Sequence, residues 1–238
     1  LKKAVIISIF SIGMSPFAMQ IAQSLVQVLA NNALKEYGGD LAIGAMTIIS
    51  SISMIFMMPL FGLNQGSQPI IGYNYGAKKY HRVKDAVKIP VIVATLIVSV
   101  GWLLIQFAPE LLIRAFSSDE SLLEMAKTGL RTFLFMLPVL GFQTISSNYF
   151  QSIGQAKVSM FLSLLRQVIL LIPCLIVLPR VGGLGLMGVW LAGPVADGLA
   201  SIITGVVFFG SLRKLKENKV NDCDKEMASL HQESPLKV

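Results

Sequence analysis

The chain has 238 residues, 54% of them hydrophobic and only 14% charged, with a mean hydropathy of +0.68. Soluble domains carry about 25% charged residues, so a soluble fold is excluded and a polytopic membrane protein is indicated. The net charge of +7 would suggest nucleic acid in a soluble protein. Here the basic residues gather at the ends of apolar runs without a basic–aromatic face, so membrane lipids are the expected partner and no nucleic acid is.

A helix needs about 20 apolar residues to cross the hydrocarbon. Charge-free runs occur at 4–34, 41–77, 89–109, 132–156 and 198–212. Six spans are predicted, at about 4–33, 41–63, 86–108, 128–151, 158–178 and 185–212. The expected fold class is an all-α membrane protein, a six-transmembrane-helix bundle over 1–215. A polar cytoplasmic tail, 216–238, follows with the composition of a disordered segment. Each span has a proline in or beside it: Pro16, Pro59, Pro90, Pro138, Pro173 and Pro194. Proline bends a membrane helix, which suits a fold that opens and closes, although proline is also ordinary in such helices.

In the first span Gln20, Gln23, Gln27 and Asn31 recur at three- and four-residue spacing, which places them on one face. Met14, Met19, Met46, Met54, Met57 and Met58 gather in the first two spans, more simply as apolar filling than as an adaptable ligand surface. Next comes QGSQPIIGYNYGAKKYHRVKDAVK, residues 65–88. Gly66, Pro69, Gly72 and Gly76 precede a basic run of Lys78, Lys79, Arg82, Lys84 and Lys88. Glycine and proline break helices, and clustered Lys and Arg stay on the cytoplasmic side, so this stretch predicts a sharp cytoplasmic connection. His81 within it reads as a solvated residue rather than a proton relay. Lys2, Lys3, Lys157 and Arg213 fall on the same side as the basic run, and that side outweighs the other, so both ends of the chain are expected in the cytoplasm.

The outer connection, 109–127, ends in SSDESLLEMAK, whose serines before acidic residues mark a helix start. The fourth span carries Gln143, Ser147, Asn148 and Gln151 as a second polar stripe. Two such stripes on different helices predict a shared water-accessible cavity, with interhelical hydrogen bonding as the alternative for each residue singly. Ionisable groups within a span are costly and therefore informative. Arg166, in the fifth span, either snorkels to the interface or faces the interior. Asp197, in the last span, has too short a reach to snorkel. It must border water as a transport group or anchor another helix, with Arg166 as the candidate partner. A glycine-rich outer turn, 180–188, leads into that last span. Cys174 and Cys223 are too unlike in setting to make a framework. No catalytic constellation is present, so neither an enzyme nor a cofactor is expected.

The string GLNQGSQPIIGYNYGAKKYHRVK, residues 62–84, resembles the loop after the second helix of a half in the multidrug and toxic compound extrusion (MATE) family. SIGQAK, 152–157, and PVAD, 194–197, resemble two further family segments. The resemblance implies the second half of a twelve-helix transporter, and hence a missing N-terminal six-helix half. It also implies a multi-pass protein of the plasma (inner) membrane that antiports small amphipathic or cationic compounds against H⁺ or Na⁺ by alternating access. Gln20, Gln23, Gln27, Asn31, Gln143, Asn148, Arg166 and Asp197 would then line or brace the substrate and ion cavity. One branch of the family carries coupling carboxylates in the first and fourth helices of this half. Here 1–34 and 125–196 contain no Asp or Glu, so the coupling acid would lie in the other half. A lipid-linked saccharide flippase of the same superfamily is the alternative; it would call for more cavity cations than Arg166.

Overall fold

The computed structural model describes the backbone of residues 3–232 and the side chains of residue 17 and of 19–213. The backbone of the expected tail at 216–238, read from composition as disordered, continues the last helix to Gln232, while residues 233–238 and the side chains of the tail (Cys223 included), of Met14 and of Pro16 lie outside the described residues.

One helical run, Lys3–Gly76, is 74 residues long. At 1.5 Å per residue it would extend ~110 Å, far more than a bilayer's apolar thickness. It is broken at Gly39, whose φ of 66° and ψ of −163° no side-chain-bearing residue readily adopts. The chain folds back there, because Met19 and Gln23 border the same cleft as Leu60 and Asn64. The two arms are α1 (3–38) and α2 (40–76). They are followed by α3 (Tyr80–Phe107), α4 (Pro109–Arg114), α5 (Glu120–Phe133), α6 (Leu137–Ser152), α7 (Ala156–Val177) and α8 (Gly185–Gln232). Four of the described helical runs are long and apolar enough to cross a membrane, and α5 with α6 forms a fifth, bent by 50°. Division of the first run at Gly39 gives six crossings.

Two expectations need correction. The segment holding Gly66, Pro69, Gly72 and Gly76 is not a loop: α2 remains helical to Gly76, and the turn is confined to 77–79, where Lys78 has φ 56°. A glycine costs a helix only about 1 kcal/mol, which packing outweighs. Ile71 is fully buried with Val83, Val87, Tyr149 and Phe150. A side chain at Gly72 would stand 3.1 Å from the Ser152 carbonyl, so glycine here admits α6 closely. Arg82 is exposed in the first turn of α3. The fourth span is likewise not one helix over 128–151. It begins at Glu120, and its two halves meet at residues 134–136, just before Pro138 in the first turn of α6. Proline at a helix start sacrifices no hydrogen bond, so the break falls where it is least costly.

The helix start read in 117–127 is present: Asp119 Oδ1 accepts hydrogen bonds from the backbone N–H groups of Ser121 and Leu122, capping α5. The glycine-rich outer turn is a short 3₁₀ segment, Val181–Gly183, with positive φ at Gly182, Gly183 and Gly185. The main core joins α2, α3, α5 and α6 through Ile49, Ile52, Leu60, Ala94, Val98, Ile105, Leu130 and Leu137. It holds the helices that wall the polar cleft.

Candidate substrate and ion cleft

A cleft of about 430 Å³ opens between α1, α2, α6, α7 and α8. Its lining is rich in amides and hydroxyls, and among the described residues Arg166 is the one charged group that borders it. Polar groups at membrane depth have no water unless the fold supplies a passage for it, so each must find a partner or face a hydrated cavity. Several do the first by tying helices together. Asn148 Nδ2 donates to the Asn64 carbonyl at 3.1 Å, joining α6 to α2. Ser201 Oγ donates to Gln143 Oε1 at 3.2 Å, joining α8 to α6. The Ser147 and Ser159 hydroxyls lie 3.3 Å apart, joining α6 to α7.

Others have no partner among the described residues. Asn64 Oδ1, Gln167 Oε1 and Thr204 Oγ1 are buried without a hydrogen bond, and all three residues line the cleft. An unsatisfied buried polar atom costs about 1–3 kcal/mol. All three have almost no accessible surface, so they lie behind the cleft wall and not on it; Trp102 Nε1, Ser146 Oγ and Trp190 Nε1 are likewise buried and unpaired elsewhere in the bundle.

Arg166 Nε donates to Asp197 Oδ1, linking α7 to α8. The Asp197 side chain is 8% exposed and that of Arg166 is 34% exposed. The arginine faces the cleft, and the carboxylate is sealed behind it. Arg166 and Gln167 sit where α7 widens into a π-helical turn, Leu165–Leu171. Pro173, two residues beyond it, cannot donate to the Ile169 carbonyl, which loosens the ladder at this point.

Of the polar residues singled out in the sequence, Gln23, Gln143, Ser147, Asn148, Gln151 and Arg166 meet at the cleft. Gln20, Gln27 and Asn31 are exposed and outside it, with Gln27 donating to Asn31 at 3.4 Å. Met19 and Met57 line the cleft, whereas Met54 and Met58 are exposed. The signature residues Gly66, Pro69, Gly72, Gly76 and Arg82 do not line it, but their neighbours Gln65 and Gln68 do. Sequence reasoning missed these two because it assigned them to a loop. It also missed Ser159, Ser163 and Gln167 on α7, which join Arg166 in a row whose three- and four-residue spacing repeats the stripe already recognised on α6.

Away from the cleft, His81 pairs with Asp85 at 3.0 Å on the surface. At the opposite end of the bundle Lys127 Nζ lies 2.6 Å from Glu110 Oε1. The Lys127 hydrogen bond and charge hold the Glu110 carboxyl below its usual value. Among the described residues no group of three His, Cys, Asp or Glu could hold a metal.

The MatE family model matches residues 16–176. The multidrug export protein MepA of Staphylococcus haemolyticus is 24% identical over 219 residues, covering 92% of this chain and 47% of that protein. MepA of Staphylococcus aureus strain N315 is 25% identical over 207 residues, covering 87% and 45%. The chain thus spans about half the length of the curated relatives it matches. Among solved structures, the MATE multidrug transporter DinF-BH is 35% identical with a TM-score of 0.75, covering 88% of this chain and 46% of that one. A MATE transporter in the bent conformation gives 0.83 at 20% identity, covering 92% and 48%. With the match spanning well over half of the sequence and the same bundle recurring in those structures, the chain belongs to the MatE family.

Proposed function

We propose that this chain is one half of a secondary active multidrug efflux transporter, with the cleft as its share of the substrate pathway. The observation that carries this reading is the amide- and hydroxyl-lined cleft itself, walled by residues of α1, α2, α6, α7 and α8 within an otherwise apolar bundle. A second six-helix half closes the cleft, and the two bundles rock about it in alternating access, as in transporters built from repeats. The substrates are small amphipathic or cationic compounds, exchanged for H⁺ or Na⁺ across the plasma membrane, and both ends of this half are cytoplasmic. The names of the MepA relatives and their twofold greater length support this assignment. Asp197 braces Arg166 here, so the coupling carboxylate belongs to the other half. A flippase for a pyrophosphate-linked lipid gains no support, because the single cation lining the described cleft is already held by Asp197.

The test is transport by the full-length protein in proteoliposomes. A lipophilic cationic dye should move against its gradient only when an H⁺ or Na⁺ gradient is imposed. Gln23→Leu and Asn148→Leu should slow it several-fold at equal protein yield. Folded, reconstituted protein that moves no dye under either gradient would overturn the reading.

A further inference from the structure

We propose that the groove between α3, α6 and α8 at the basic end of the bundle binds one anionic phospholipid. The groove has a volume of about 470 Å³ and an almost entirely apolar lining. It lies on the opposite side of α6 from the cleft: Phe142 walls the groove, while the next residue, Gln143, lines the cleft.

Its floor is aromatic. Phe142 stacks on Phe209 with ring centres 6.1 Å apart and meets Phe208 edge-on at 5.7 Å. Its rim is cationic, formed by Lys84 and Lys88 of α3 and Arg213 of α8. Lys84 and Lys88 are one turn apart on the face that also carries Val87 and Val91, so both look into the groove. α3 runs away from this end of the bundle and α8 runs toward it, which brings all three cations to one level. No ion pair involves any of them among the described residues. A tail-sized apolar trough ending in three cations that have no ion-pair partner among the described residues complements a ligand with an acyl chain and a phosphate head. A neutral lipid satisfies the trough alone, and a free phosphate satisfies only the rim. Because the groove lies apart from the cleft, the inference does not depend on the efflux reading.

The experiment uses the intact protein in phosphatidylcholine nanodiscs, probed with phosphatidylglycerol carrying a photoreactive acyl chain. A matched phosphatidylcholine probe is run in parallel, and adducts are mapped by mass spectrometry. Adducts should fall on peptides containing Phe142, Phe208 or Phe209, with phosphatidylglycerol favoured on the order of tenfold or more, since each basic residue near the head group adds to its affinity. Lys84→Gln/Lys88→Gln/Arg213→Gln should reduce labelling to the phosphatidylcholine level, and Lys84→Arg/Lys88→Arg should keep the preference. Millimolar inorganic phosphate should leave labelling unchanged. Equal labelling by the two wild-type probes would overturn the proposal without recourse to any variant. So would labelling of the triple variant like wild type, displacement by phosphate, or an unlabelled groove covered by another part of the protein.

Discussion

Arg166→Met should destabilise the protein much more than Asp197→Asn, and the two changes should not add. The Asp197 side chain is 8% exposed and that of Arg166 is 34% exposed. Removal of the arginine strands a carboxylate among α7 and α8 with no cation, which costs about 3–5 kcal/mol for a broken buried pair. Removal of the carboxylate charge leaves an arginine that already reaches the cleft and can be hydrated there. That loss is about 1–2 kcal/mol, roughly one charge-assisted hydrogen bond. Arg166→Met/Asp197→Leu removes both charges and should sit within about 2 kcal/mol of wild type, because apolar replacement of a buried pair is often close to neutral. The coupling between the sites is then about 2 kcal/mol or more. Thermal unfolding of the purified protein in detergent checks this: at roughly 2–4 °C per kcal/mol, Arg166→Met should lower the midpoint by about 6–20 °C. Equal losses for the two single variants, with a double variant that loses their sum, would refute the picture of a carboxylate sealed behind its arginine.

Three further outcomes follow from the geometry. Gly72→Leu should cost about 1–3 kcal/mol by thermal melting, since even its Cβ would stand 3.1 Å from the Ser152 carbonyl; Gly66→Ala, with nothing within 4 Å, should be neutral or stabilising by up to about 1 kcal/mol. Asp119→Ala removes the cap of α5 and should cost about 1 kcal/mol, whereas Asp119→Ser should recover most of it. The Glu110–Lys127 link should respond to acid in a set direction. Its contribution is complete above the ordinary Glu value of 4.5 and is lost as pH falls below that through the lowered Glu110 value. A Glu110→Gln variant should therefore show a smaller acid-induced drop in melting temperature than wild type over that range.

Length of apolar runs and placement of charge are local properties, and they carried the membrane class, the six crossings and the cap-bearing start of α5. The amide stripe of α6 was legible for the same reason, since helical spacing alone decides which residues share a face. Spacing could not say which face the fold turns inward. Gln23 borders the cleft while Gln20, Gln27 and Asn31, drawn from the same stripe, lie outside it. Nor could composition foretell that α2 runs on through Gly66, Pro69 and Gly72, because contacts with α3 and α6 stabilise a helix whose own sequence argues for a break. The sequence by itself determined that a carboxylate and a guanidinium would be placed inside the membrane. Only the tertiary structure decided that they meet, with Asp197 buried and Arg166 turned to the cleft, because pairing depends on how α7 and α8 pack and not on the order of residues in either helix.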